Sequence, residues 1–141
     1  MIEAALDIAI ETALRSSTEL AAVMGGRVRL YPLSAPNDAP FPHIIFGENQ
    51  ILPWDDPCTK GHEVYVTLRG WCQDNAGGPT ATMAQAKRLA GTLRELLDQP
   101  LTISGHAVVD HRPETNRALP DADGLSALVV VEHRYWVEAS A

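Results

Sequence analysis

The sequence predicts an α+β domain, with two main helices packed on one face of a largely antiparallel sheet of about four to six strands. Three observations predict it. Apolar residues recur at three- and four-residue spacing across residues 2–23, and again from about residue 80 to residue 97. Residues 62–72 alternate in the two-residue period of a strand. The strand-like segments are grouped between the two helices, with a hairpin and one last strand after the second.

The chain has 141 residues, which predicts one domain over 1–141 and a core that needs neither disulfides nor metals. In the first helix Ile2, Leu6, Ala9, Ile10, Ala13 and Leu14 share a face. Ser16-Ser17-Thr18-Glu19 breaks it and recaps a short turn carrying Leu20 and Val23, because Ser and Thr oxygens accept from free helix N–H groups. Gly25-Gly26 ends that turn. Val28 to Tyr31 is a short strand. Pro32, Pro36, Pro40 and Pro42 forbid regular pairing, so 32–42 is expected to be a loop and 43–50 the next strand. Residues 53–60, PWDDPCTK, are expected to be a second loop. In the strand at 62–72, Val64, Val66, Leu68 and Cys72 point one way, and Glu63, Tyr65, Thr67, Arg69 and Trp71 the other.

The second helix opens at Pro79 or Thr80, carries Met83, Ala86, Leu89, Ala90, Leu93, Leu96 and Leu97 as its stripe, and stops before Pro100. Residues 101–103 and 107–109 flank Ser104-Gly105-His106, a hairpin signal. Residues 113–123 hold turn chemistry without an apolar period. The last strand, about 125–137, contains Leu128-Val129-Val130-Val131. It is apolar on both faces, so it is expected to be central and covered on both sides, by helices or by a neighbouring subunit.

Charge narrows the function classes. The net charge of −7 repels phosphate backbones and argues against wrapping nucleic acid, but suits the lining of a channel through which DNA slides. The acidic first residues do not make a signal peptide and no run reaches membrane-spanning length, so a soluble protein made in a cytoplasm is expected. Cys58 and Cys72 lie too far apart for a disulfide and read as free thiols.

Each candidate for chemistry has a plainer reading. Asp110-His111 could be half a dyad, but neighbours on a strand point to opposite faces. Ser104 and Ser126 lack a nucleophile elbow. Cys58, His62, Cys72 and His43 could supply zinc ligands, but a second close pair is missing. Asp121-Ala-Asp123-Gly124 fails as a calcium loop, since Leu119 would stand where a carboxylate is required. The double glycines precede no Gly-Lys-Ser/Thr, so no phosphate loop is expected. Arg112, Arg117 and Arg134 are candidates to converge at one sheet edge, where salt bridges or protein contacts are the commoner use. Trp54, in a polar loop with Asp55 and Asp56, is either a lid on the core or an interface anchor. Trp71 and Trp136 read as strand residues covering the sheet. The balance moves from enzyme to interaction protein, with no cofactor and no metal.

The order of features resembles the tail-completion, or tail-terminator, proteins of long-tailed phages and gene transfer agents over nearly the whole chain. An Ala/Leu-rich helix leads to Gly26-Arg27-Val28. A proline-rich link gives Phe41-Pro42-His43-Ile44-Ile45-Phe46-Gly47-Glu48, and the strand Glu63 to Trp71 follows. The second helix carries Ala86-Lys87-Arg88-Leu89-Ala90; then come a Gly-His hairpin over Leu101 to Val109 and Asp121-Ala-Asp123-Gly124-Leu125 before the last strand. The loops at 49–61 and 113–120 are longer than the resemblance leads one to expect.

The resemblance implies a structural virion protein rather than an enzyme. Such a protein forms a ring, usually hexameric, at the head-proximal end of the tail tube. It ends tube polymerisation and joins the tail to the head connector. The implied partners are further copies of the chain, the tube protein and a connector or stopper protein. DNA passes through the lumen without specific binding, no membrane is involved, and assembly takes place in the cytoplasm of a host bacterium. The interface candidates are Trp54, Asp55, Asp56, Pro36 and Pro40. Other readings are a different neck or minor tail component such as a stopper or adaptor, a small enzyme built on Asp110/His111 or Cys58/His62, and a non-viral regulatory or ligand-binding domain.

Overall fold

In a computed structural model of the chain, which describes residues 2–55 and 60–139, the first amphipathic stretch forms α1 (Ile2–Arg15) and α2 (Thr18–Val23). The break falls at the serines. The Ser17 side chain caps α2 by accepting from the backbone N–H of Leu20. Ile2, Leu6, Ala9, Ile10 and Leu14 of α1 are buried, as the spacing predicts. Gly25 and Gly26 follow at φ 83° and 105°, backbone that a side chain would resist.

Four further elements form a mostly antiparallel sheet with β1 (Leu30–Pro32), namely β2 (His43–Asp55), β3 (Lys60–Cys72), β4 (His106–Pro120) and β5 (Ala127–Ala139). Its five strands lie in the order β1-β2-β3-β5-β4, and only β1 against β2 is parallel. Between β3 and β4 runs the long helix α3 (Gly78–Leu97). It lies against β3, β5 and β4, while α1 meets β2, so the two long helices share one side of the sheet. The core is the space between. It joins Leu6, Ile10 and Leu14 to Leu89, Leu93 and Leu97 and to the sheet face carrying Ile44, Val64, Val66, Leu68, Val129, Val131, Tyr135 and Val137.

Three expectations need correction. Residues 53–55 are not loop: Pro53, Trp54 and Asp55 continue β2 and pair with His62, Gly61 and Lys60. Residues 101–103 form no strand. They make a packed link, with Leu101 and Ile103 buried, that turns at Ser104-Gly105. The strand that follows runs through the supposed turn region to Pro120, pairs with β5 throughout, and shifts register at Val108/Asp110 and Pro113/Thr115. It is an edge strand, where bulges and a proline are tolerated because one side needs no ladder partner.

The last strand is interior, between β3 and β4, as expected. Its burial alternates, however, so only one face is fully covered. Among the described residues no helix lies on the other face, and Leu128, Val130 and Trp136 there are half-buried.

Candidate interaction surfaces

The helix-free face of the sheet is the first surface. The pairing register puts Trp54, Tyr65, Arg69, Trp71, Arg134 and Trp136 on it. Three of its arginines, Arg69, Arg112 and Arg134, are paired laterally. Arg134 is ion-paired with Glu63, lies 3.5 Å from Glu114, and stacks over Trp136 at 4.3 Å and Tyr65 at 5.2 Å. Arg112 covers the same Trp136 ring at 5.1 Å and reaches Glu114 at 3.5 Å. The Tyr65 hydroxyl donates to Glu63, and Thr67 donates to Glu132. Arg69 grips Glu48 with two N–H groups at 2.9 and 3.2 Å, which holds the Glu48 carboxyl below the usual carboxylate range. Arg112 and Arg134 thus converge, directly opposite each other in the register; Arg117 pairs with Val130, farther along. The face is a ribbon of guanidinium groups stacked on aromatic rings, neutralised by carboxylates. It offers flat rings and saturated charges rather than a free cation cluster.

The second surface is the proline-rich link at residues 33–42. Arg29 Nη1 donates to the carbonyl of Met24 at 3.0 Å and to that of Pro42 at 3.1 Å. This clips the loop to the end of α2. Ala39 is buried and its N–H donates to the Pro36 carbonyl. His43 sits under the loop. Its ring stacks on Trp71 at 5.7 Å and meets the Phe41 ring at a tilt at 5.1 Å, and its Nδ1 lies 3.3 Å from the Pro40 carbonyl. Outside this anchored base the loop is exposed. Leu33, at 92% exposure, has φ 70°, a conformation that branched and bulky residues resist.

The interface candidates do not form one patch. Pro36 and Pro40 are exposed in the link that precedes β2. Trp54 is half-buried at the far end of the same strand, with Asp55 beside it in sequence. At about 3.3 Å per residue the two ends are roughly 40 Å apart. Trp54 is a strand residue facing Gly61, not a loop anchor, and Asp56 lies outside the described residues.

The chemistry candidates separate as well. Asp110 and His111 face opposite sides of β4, opposite Trp136 and Tyr135 respectively, and the Asp110 carboxylate accepts from the backbone N–H of His111, not from its ring. Ser126 bonds Asp123 and Gln73, while Asp123 also accepts from the N–H groups of Leu125 and Ser126. That is a turn, as the sequence predicts. Burial pushes the Cys72 thiol up to about 12, so it is inert at neutral pH. His43 and His62 lie at opposite ends of the β2–β3 pair, and Cys58 is outside the described residues. A cleft of about 970 Å³ opens between α1 and the segment after α3, lined by Ala5, Ile8, Thr12, Leu96 and Leu101, among others; among the described residues Glu19 is its one ionisable group. One acid without a partner group does not make an acid–base pair.

Sequence reasoning missed one cluster, Asp98, His111 and His133, whose ligand atoms lie within 4.8 Å of one another. The β4–β5 register alone would have revealed the two histidines as near neighbours on one face. That register was hidden because residues 113–123 read as turn.

Comparison with known proteins gives one consistent picture. The family model described as Tail completion protein gp17 matches residues 8–138. The curated proteins give no match. Among solved structures, a chain of the virion of a native gene transfer agent particle aligns over 98% of this chain and 98% of its own, with a TM-score of 0.81 and 19% identity. The bacteriophage SPP1 gp17 protein aligns over 94% of this chain and 88% of its own, with a TM-score of 0.56 and 20% identity. At such identities the structural likeness establishes the shared fold.

Proposed function

Because this chain belongs to the tail completion protein gp17 family and is therefore a structural tail component, we propose that it forms a ring at the head-proximal end of a phage or gene transfer agent tail tube. There it stops tube polymerisation and joins the tail to the head connector. One observation carries the reading: the family match spans 8–138, and the same stretch has the fold of a chain in a gene transfer agent virion. The whole of 1–141 acts as one structural domain in this role, without catalysis.

The ring is a hexamer of this chain, and its partners are the tube protein on one side and a connector or stopper on the other. A ring contact is heterologous and needs two different patches on each subunit. The link before β2 and the far end of β2 are the candidates for these two patches. Pro36 and Pro40, on a link clipped by Arg29, supply one candidate patch; Trp54 and Asp55 near the far end of β2, with Asp56 next in sequence, supply the other. A loop fixed at its base contacts a neighbour with little ordering cost. The net charge of −7 suits a lumen that lets DNA pass unbound. The protein takes its place in the virion after assembly in the host bacterial cytoplasm.

The test is native mass spectrometry across a concentration series, with and without the tube protein. A closed ring alone, or a complex formed only with tube protein, supports the reading. Binding to a connector protein but not to tube protein would reassign the chain as a stopper or adaptor. A monomer indifferent to both would overturn it.

A further inference from the structure

We propose that Asp98, His111 and His133 form a zinc site that ties the end of α3 to the β4–β5 hairpin. The three donors come from three elements. Asp98 is the residue that caps α3, His111 lies on β4, and His133 lies on β5. His111 Nδ1 is 3.1 Å from His133 Nε2 and 3.6 Å from Asp98 Oδ1, and His133 Nε2 is 3.9 Å from the same oxygen. Three donors at zinc bond lengths of about 2.0–2.2 Å in a tetrahedron stand about 3.4 Å from one another. The observed triangle brackets that value. An octahedral ion at similar bond lengths would draw them to about 3.0 Å, closer than any of the three separations.

The surroundings favour a cation at the centre of the triangle. A carboxylate at the C-terminus of a helix meets the negative end of the helix dipole, and a bound cation relieves both. Two imidazoles with one carboxylate make a borderline donor set that suits zinc and not magnesium or calcium. His133 is almost wholly buried, at 1% exposure, and packs on Tyr135, which fixes its ring. His111 and Asp98 are partly exposed, at 20% and 47% of their side chains, which leaves an entry path and room for water as fourth ligand. In the metal-free chain one ring N–H points at the other ring, and that ring adopts its other tautomer when zinc binds.

The inference is independent of ring assembly. The test uses the full chain, stripped with a chelator and titrated with zinc by calorimetry and by thermal melting. The expected result is about one zinc per chain with micromolar affinity or tighter, and a Tm rise of roughly 10 °C at free zinc about 100-fold above Kd. Asp98→Asn changes an exposed residue and leaves the chain folded; it and His111→Ala should each weaken binding by at least about tenfold and flatten the Tm response. His62→Ala should leave both unchanged. Cobalt should give tetrahedral visible bands without a thiolate charge-transfer band. The proposal fails if zinc leaves the Tm unmoved at submillimolar concentration. It fails equally if Asp98→Asn and His111→Ala bind like the parent, or if binding is lost on Cys58→Ser but kept in Asp98→Asn.

Discussion

Tyr135 is completely buried, and its hydroxyl closes the end of the long helix. It donates at 2.6 Å to the carbonyl of Leu97, the last residue of α3, one of the carbonyls a helix end leaves without a partner. Tyr135→Phe keeps the ring and orphans that carbonyl. A loss of about 1–2 kcal/mol is expected, read as a lower urea midpoint at unchanged slope. An unchanged midpoint would mean that water takes over the carbonyl. His43 makes a pH prediction. Burial holds its imidazole below the ordinary range, with Arg29 adding to the effect and the Pro40 carbonyl opposing it. The unfolded chain then binds more protons than the folded one just below the ordinary histidine pKa of about 6.5. Stability from neutral His43 is therefore full above about 6.5 and declines as pH falls through the window beneath it. Urea midpoints between about pH 7 and pH 5 should fall less steeply in His43→Gln than in the parent. Parallel slopes would remove His43 from the account.

At the scale of elements, two glycines should respond in opposite ways. Gly61 of β3 sits where an added Cβ would meet the Val137 carbonyl oxygen at 2.5 Å and the Trp54 ring at 3.1 Å. The first contact is backbone of β5, an interior strand, and cannot turn aside. Gly61→Ala should cost about 1–3 kcal/mol by spreading the β2–β3–β5 end of the sheet. Gly91 is on the exposed side of α3 with open space around it, so Gly91→Ala should raise stability by about 0.5–1 kcal/mol through helix propensity alone. Parallel chemical melts check both; equal effects would refute the contact argument. The elements differ in how legible they were. The stripes of α1 and α3 and the alternation of β3 repeat often enough to be read directly, and the helix break at Ser17 carries its own cap. By contrast β4 alternates poorly, because an edge strand with two bulges has no constant inward face. The end of β2 was hidden by Pro53, whose missing N–H is no sign of a loop where the ladder needs no donor.

For the whole molecule, the exposed tip of the proline link distinguishes folding from assembly. Leu33 touches little, at 92% exposure, and its positive φ suits Asn better than Leu. Leu33→Asn should leave the Tm unchanged or slightly higher. If the link meets a neighbouring subunit, the same change should shift the native mass distribution from ring towards monomer. A ring that persists at the parent concentration would make the link a mere connector. The helix-free face presents the complementary case. Arg134, Arg112 and Arg69 there are already paired with Glu63, Glu114 and Glu48, so a partner at these residues gains flat aromatic contact and not new ion pairs.

The sequence by itself determined the fold class, the two long helices, the central strand and the absence of any familiar catalytic motif. These follow from local periodicity and from residue types at short spacing, which survive in one dimension. The order of features also carried the family. Tertiary structure decided the rest. Strand register set Arg112 opposite Arg134 and stacked both on Trp136. It also brought His111, His133 and Asp98 together from positions up to 35 apart in the chain. It set Pro36, in the link before β2, far from Trp54 at the other end of that strand. Such juxtapositions depend on where each strand pairs, and a bulge of one residue moves a side chain to the other face.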